Sequence, residues 1–387
     1  MPQPGAPIYL DYAATTPVDP RVAEQMSRAL MAHGTFGNPA SRSHAYGWQA
    51  EELVENARAE VAAALHADPR EIVWTSGATE SDNLALKGVV EGALGSGRNH
   101  IITSAIEHKA ILDTCEHLQG QGCTVTYLAP DAYGRVSPQQ VAEALTPASL
   151  IVSIMHVNNE LGTVNDVAAI GQVCRDAGVW FHTDAAQGFG KVPLDMSRMP
   201  IDLVSISGHK IYGPKGIGVL YVRREPAVKV AAQIHGGGHE MGMRSGTLAT
   251  HQIVGFGAAA ALIHELHADE QAKLSRLRSR FLAHIQQIPD AVVHTHPEHH
   301  IPGIINVGFA GVDGETLLLA LDDVACSNGS ACTSASVEPS FVLKAIGVPD
   351  DLAHASLRFS LGRYTTEDEV ERAGVRISEV VHRLRGP

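Results

Sequence analysis

The chain has 387 residues, 44% of them hydrophobic, and a formal net charge of −13. That length suits one large domain plus a smaller one, and the acidic balance argues against binding nucleic acid through its phosphates. Five scattered cysteines point to reduced thiols in a cytoplasmic protein rather than a disulfide framework; residues 1–16 show no signal-peptide pattern, and the longest apolar run, near residues 253–263, is too short to cross a bilayer.

In chain order, residues 8–10 read as a short strand and 11–17 as a loop. Asp19-Pro20 starts a helix that Gly34 stops, and Gly37-Asn38-Pro39 is a turn. A long amphipathic helix then runs over about 44–67 and ends at Asp68-Pro69. From there strands and helices alternate. The pattern predicts strands over 71–75, 100–104, 124–128, 150–156 and 179–182, with helices over 80–94, 109–118, 138–145 and 167–177 between them. Strands over 202–207 and 218–222 follow. This alternation predicts a largely parallel sheet covered on both faces, with ligands beyond the carboxyl ends of its strands. After Gly236-Gly237-Gly238 the pattern changes to a helical region over about 250–288, strand 304–309, helix 314–321, a Gly/Ser-rich loop, helix 339–346, strand 356–360 and helix 366–384. That is an α+β second domain.

The chemistry gathers at strand ends. The run Ile201-Asp202-Leu203-Val204-Ser205-Ile206-Ser207-Gly208-His209-Lys210 reads as a buried strand that delivers one lysine into a cleft. Desolvation there lowers the lysine pKa and frees its amine to form a Schiff base. Phe181-His182-Thr183-Asp184 delivers an aspartate in the same way. A lysine for the aldehyde and a carboxylate for the ring nitrogen are what a pyridoxal phosphate (PLP) site needs. Either residue alone is as readily a surface lysine or a helix-capping aspartate. Ser76-Gly77-Ala78-Thr79-Glu80 ends a strand and opens a helix, where backbone N–H groups and the Thr79 hydroxyl can reach a phosphate. Ser207 and His209 can donate to the same group.

Other candidates are each ambiguous by themselves. His108 follows a strand and can stack on a flat ring, but the chain has 21 histidines. Asn159 can bond a ligand or serve turn chemistry. Arg358 can grip a carboxylate with two hydrogen bonds or make a structural ion pair. Residues 325–334 form a small-residue loop with two thiols; Cys332 has nothing bulky nearby to bury it, whereas Cys326 adjoins apolar residues. Cys115, Cys123 and Cys174 read as packing residues. His294, His296, His299 and His300 match no usual zinc spacing.

Together these residues closely resemble the cysteine desulfurases of the NifS/IscS type. The specific motifs are Ser76-Gly77-Ala78-Thr79-Glu80-Ser81, Ser207-Gly208-His209-Lys210, Gly242-Met243-Arg244-Ser245-Gly246-Thr247 and Gly329-Ser330-Ala331-Cys332-Thr333-Ser334, and the likeness runs from Tyr9 to Arg363. It implies an α/β PLP-dependent transferase of fold type I. The large domain, over 15–255, would carry a mostly parallel seven-stranded sheet. The smaller α+β domain, from 1–14 and 256–387, would carry the cysteine loop at about 325–336.

The resemblance implies that Lys210 is the Schiff-base lysine, that Asp184 pairs with the pyridine nitrogen and that Gln187 bonds the phenolic oxygen. His108 would stack on the ring and help move protons. Ala78, Thr79, Ser207 and His209 would hold the phosphate, and Thr247 would reach the phosphate of a neighbouring subunit in a homodimer. Asn159 would contact cofactor and substrate, and Asn38 and Arg358 would orient the substrate, L-cysteine. Cys332 would take the sulfur as a persulfide, leaving L-alanine, and would pass it to an iron–sulfur scaffold protein or another acceptor. The same thiol is a candidate transient iron–sulfur ligand; no other metal site is expected. The rival readings are a selenocysteine lyase or a PLP-dependent aminotransferase, and, outside enzymes, an iron–sulfur assembly protein; a required catalytic thiol separates the desulfurase from an aminotransferase, which needs none, and does not exclude selenocysteine as an additional substrate.

Overall fold

The structure, a computed structural model, describes residues 6–328 and 339–386. Its centre is a seven-stranded sheet in the order Ile72–Thr75, Gly218–Val222, Leu203–Ser207, Trp180–Asp184, Ser149–Ser153, His100–Ser104, Thr124–Leu128. Six strands run parallel; Gly218–Val222 is antiparallel to both its neighbours. Helices cover both faces, so the inner strands are buried on both sides. Leu203–Ser207 has no exposed residue, which is why it reads as a continuous apolar run rather than an alternating one.

Capping sets several helix starts. Asp19 accepts from the Arg21 N–H ahead of Pro20–Arg28, and Ser137 and Gln140 form a capping box ahead of Pro138–Ala144. The helix Ala78–Gly92 is different. Its N-cap is Gly77, which offers no side-chain acceptor, so the first N–H groups stay open toward the sheet edge.

A buried ion pair ties this half together. Arg58, on the helix Ala45–Leu65, meets Glu240 with a two-pronged contact at 2.8 and 2.9 Å, and Glu240 also accepts from the Trp74 N–H at 2.8 Å. Removing Glu240 leaves the buried Arg58 guanidinium with only the exposed Glu55 carboxylate, 3.2 Å from its Nε, as an ionic partner among the described residues. Glu240→Ala is therefore expected to cost about 3–5 kcal/mol, read from urea unfolding; a loss below about 1 kcal/mol would mean that the pair acts as an exposed one does.

The 36-residue helix Thr250–Ile285 crosses between two hydrophobic cores. Ile253, Phe256, Ala259 and Ala260 pack into the core beneath the large sheet. Leu274, Leu277, Phe281 and Ile285 pack into a second core around the antiparallel sheet Ser356–Ser360, Ile304–Phe309, Ala291–Val293. The start of the chain joins the second core: Ile8–Tyr9 pairs in parallel with Val324–Ala325, and Ile8 and Leu10 are buried there. The chain then enters the cleft between the cores at Ala13 and Ala14. Among the described residues no helix is long and apolar enough to cross a membrane.

Candidate active site

The parallel strands that end at Thr75, Ser104, Ser153, Asp184 and Ser207 all finish on one edge of the large sheet. A cavity of about 540 Å³ lies there, lined by residues from both halves of the fold. Lys210 stands in the short turn Gly208–Lys210 that follows its strand. Its amine donates to the Ala13 and Ala14 carbonyls at 2.6 and 2.9 Å. Asp184 is buried at the end of the neighbouring strand, and its Oδ1 accepts from the Ala186 N–H at 2.8 Å. Burial pushes its carboxyl above the usual range; that hydrogen bond, and electrostatic interaction with His108 and Lys210, pull it back.

Two further buried carboxyls stand behind Asp184. Asp82 and Glu107 are both pushed well up by burial, and the Asp184 charge adds to the effect. Neither stood out in the sequence, because acidic residues on an amphipathic helix or after a strand read as solvent-facing.

Ser76, Gly77, Ala78, Thr79, Ser207 and His209 line one end of the cavity, at the open start of the helix Ala78–Gly92. The backbone comes close there because both sides lack a side chain: a Cβ on Gly218 would sit 2.6 Å from the Gly77 Cα. His209 is held neutral, pushed down to about 4 by burial and by the nearby lysines Lys210, Lys215 and Lys191, and its Nδ1 lies 3.1 Å from the Thr15 hydroxyl. Lys215 also lines this end, as does Glu80, whose charge is matched by Arg244 at 2.8 Å. An open helix start with small residues and a nearby cation is an anion cradle.

His108 faces the cavity while its Nδ1 accepts from the Ala110 N–H at 3.1 Å, capping the next helix. Gln187, Asn159 and Arg358 also line the cavity. Arg358 comes from the second core's sheet. Its guanidinium donates to Asp11 Oδ1 at 2.8 Å and to the Asn159 carbonyl at 3.0 Å, and its buried Nε has no hydrogen-bond partner. The ion pair and the place in the cavity coexist.

Two candidates lie elsewhere. Asn38 lines a separate cleft with Arg42, Arg58 and Glu240, and its side chain accepts from the Ala40 N–H. Thr247 is exposed and is not among the residues that line the cavity of its own chain. Cys332 lies outside the described residues. Of the remaining thiols, Cys115, Cys174 and Cys326 are each pushed up to about 12 by burial, which leaves them inert. Two histidines of this stretch have structural partners: His294 reaches Ser356 on the strand Ser356–Ser360, and His296 Nδ1 accepts from the nearby Glu298 and His299 N–H groups. Among the described residues no cluster is arranged to hold a metal ion.

Glu160 carries a pH-dependent stability. It is buried and receives a 2.5 Å hydrogen bond from the Ser340 hydroxyl. Burial raises it from 4.5 to about 7, against the opposing pull of Ser340 and Arg358. The folded group keeps its proton to higher pH than the unfolded chain does. Its stabilising effect is therefore full below pH 4.5 and is lost as pH rises through about 7. The loss amounts to about 3 kcal/mol. Glu160→Gln is expected to flatten the pH dependence of unfolding free energy by about that amount between pH 4.5 and 8; an unchanged slope would contradict the burial argument.

A buried carboxyl beside a lysine, an uncapped helix start and a flat-faced histidine around one cavity fit PLP. The family model for class-V aminotransferases matches residues 8–373. The chain belongs to the class-V aminotransferase family. It is 58% identical to the cysteine desulfurase IscS of Pseudomonas aeruginosa, over 98% of this chain and 94% of that one. Among solved structures, a NifS-like protein superposes with a TM-score of 0.90 at 34% identity, covering 97% of this chain and 99% of that one. SspA, solved in complex with cysteine, superposes with a TM-score of 0.82 at 40% identity, covering 92% and 99%. These class-V relatives share the α/β architecture described above, and the family is PLP-dependent.

Proposed function

We propose that this class-V enzyme is a cysteine desulfurase: it takes sulfur from L-cysteine, releases L-alanine and leaves a persulfide on Cys332. The observation that carries the reading is the convergence of Lys210, Asp184, His108 and Arg358 on one cavity, in a chain so similar to a curated desulfurase. PLP, when bound, supplies an electron sink that stabilises a carbanion at the substrate's Cα. The chain's own residues do the rest.

Asp184 keeps a positive charge at the ring nitrogen favourable, since a buried carboxylate gains most from a cation beside it. The helix start at Ala78 and Thr79, with Ser207 and His209, holds the phosphate. Arg358 offers its guanidinium to the cysteine carboxylate, which fixes the substrate's orientation. Lys210 would hold the aldehyde, and its amine, which donates to the Ala13 and Ala14 carbonyls beside the cavity, would take the Cα proton. His108 stacks on the ring and carries a proton to or from the substrate. Asn159 contacts cofactor and substrate.

The Cys332 thiolate then attacks the substrate sulfur. A sulfur–sulfur bond forms as the carbon–sulfur bond breaks, the electron pair stays with Cβ, which takes up a proton, and Cα regains the proton it gave up, which completes L-alanine. An iron–sulfur scaffold protein or another sulfur acceptor then removes the sulfur. We read the working unit as a homodimer in which Thr247 serves the neighbouring site. The exposure of Thr247, and of Leu30, Met31, Phe36, Tyr46 and Trp48, supports that.

The test is product analysis. L-Cysteine with a thiol reductant is expected to give sulfide and alanine in equal amounts. A keto acid in place of alanine would make the chain an aminotransferase instead.

A further inference from the structure

In this reading, Gln187 meets the phenolic oxygen of PLP, and the inference here rests on that. A glutamine amide can present either its N–H₂ or its carbonyl to a neighbour, and only the first favours a phenolate. What sets the choice is therefore part of the site. On one side of Gln187, Nε2 lies 2.7 Å from the Ala13 carbonyl. A carbonyl accepts and cannot donate, so it selects Nε2. On the other side, Oε1 lies 2.7 Å from the Lys191 amine, which donates in either charge state. An acceptor at one end and a donor at the other allow a single orientation. Ala13 takes one of the two N–H groups, and the second is left for the cavity that Gln187 lines.

We infer that Lys191 is a positioning residue: it locks the Gln187 amide with its N–H face toward the PLP phenolic oxygen. The local backbone is built for this. After the strand Trp180–Asp184 the chain turns helically, with the Phe189 N–H bonded to the Ala185 carbonyl and the Val192 N–H to the Gly188 carbonyl. Residues four apart then share a face, which brings Lys191 over Gln187. Gly190 closes the turn at φ +75°, where a Cβ would also press on Ile263 at 2.9 Å.

The surroundings suit a lysine that donates without bringing a full charge to Lys210. Lys191 lines a cavity of about 50 Å³ behind Lys210, with Tyr12, Tyr212, His267, Glu270 and Arg363. Burial, then the charges of Lys210 and Arg358, push Lys191 down to about 7, and Glu270 opposes them. Ala13 also receives the Lys210 hydrogen bond, so the Gln187 and Lys210 side chains are set by one backbone carbonyl.

A double-mutant cycle tests this on the full chain. The PLP dissociation constant and the pH midpoint of the bound cofactor's absorption change are measured for wild type, Lys191→Met, Gln187→Leu and the double variant. Lys191→Met is expected to weaken PLP binding about tenfold and to move the midpoint upward, as loss of one hydrogen bond to a charged group does. In the Gln187→Leu background the same change is expected to have an effect below about twofold. Lys191→Arg, which keeps a donor, is expected to stay within about threefold of wild type. Equal losses from Lys191→Met in both backgrounds, or no loss in either, would overturn the inference. So would an arginine variant as weak as the methionine one. If Gln187→Leu binds PLP as wild type does, with an unmoved midpoint, the reading of Gln187 itself fails and takes the inference with it.

Discussion

Lys210→Ala is expected to lose covalent attachment of PLP and to cut L-cysteine turnover by at least about 10³-fold. The lysine serves twice in the proposed mechanism, as the resting anchor of the aldehyde and as the amine placed to take the Cα proton. A shortened side chain removes both at once, whereas the phosphate cradle at Ala78, Thr79, Ser207 and His209 stays whole. The variant should therefore still bind PLP, but reversibly. Borohydride reduction followed by peptide mapping would find the label on Lys210 in wild type and on no lysine in the variant. A label that persists at another lysine, with activity intact, would contradict the assignment. Lys191 and Lys215 are the neighbours to inspect, since both line cavities next to Lys210.

Cys332→Ser is expected to keep PLP binding at wild-type strength while sulfide and alanine release both fall by at least about 10³-fold. A hydroxyl is far less nucleophilic than a thiolate at neutral pH, and its attack on sulfur yields no persulfide. The two variants thus separate the parts of the mechanism: one loses the covalent cofactor and the other keeps it. Sulfide release that survives Cys332→Ser would require another thiol. The described candidates, Cys115, Cys123, Cys174 and Cys326, are poor ones, because burial raises the pKa of each and so favours the protonated thiol.

The sequence carries the sheet and its chemistry for a physical reason. Strands buried on both faces are written as unbroken apolar runs, and a polar residue at the end of such a run must emerge at the sheet edge. Leu203–Ser207 followed by Lys210, and Trp180–Asp184 ending on its aspartate, follow that rule, and both residues line one cavity. Helix caps such as Ser137 with Gln140 are local and equally legible. Short long-range pairings are not. The two-residue strands Ile8–Tyr9 and Val324–Ala325 pair across the length of the chain, and two residues show no periodicity.

The site shows the same divide. Motif positions such as Thr79, His108 and Asp184 stand out because small or polar residues interrupt an apolar pattern. The Asp11–Arg358 pair joins residues far apart in sequence, so neither points to the other. Lys191 reads as an ordinary lysine after a Gly-rich turn, and only the folded chain brings its amine to Gln187. Asn38 lies in a different cleft from Lys210 in the single chain, a separation that linear order does not encode.

The central claim is that sulfur passes from L-cysteine to Cys332. The measurement that meets it most directly is peptide mass analysis after a single turnover with L-cysteine, without reductant and with the thiols trapped by alkylation. The account predicts one extra sulfur atom on the peptide that holds Cys332, matched by one equivalent of alanine. Alanine formed with no added sulfur on that peptide would contradict it.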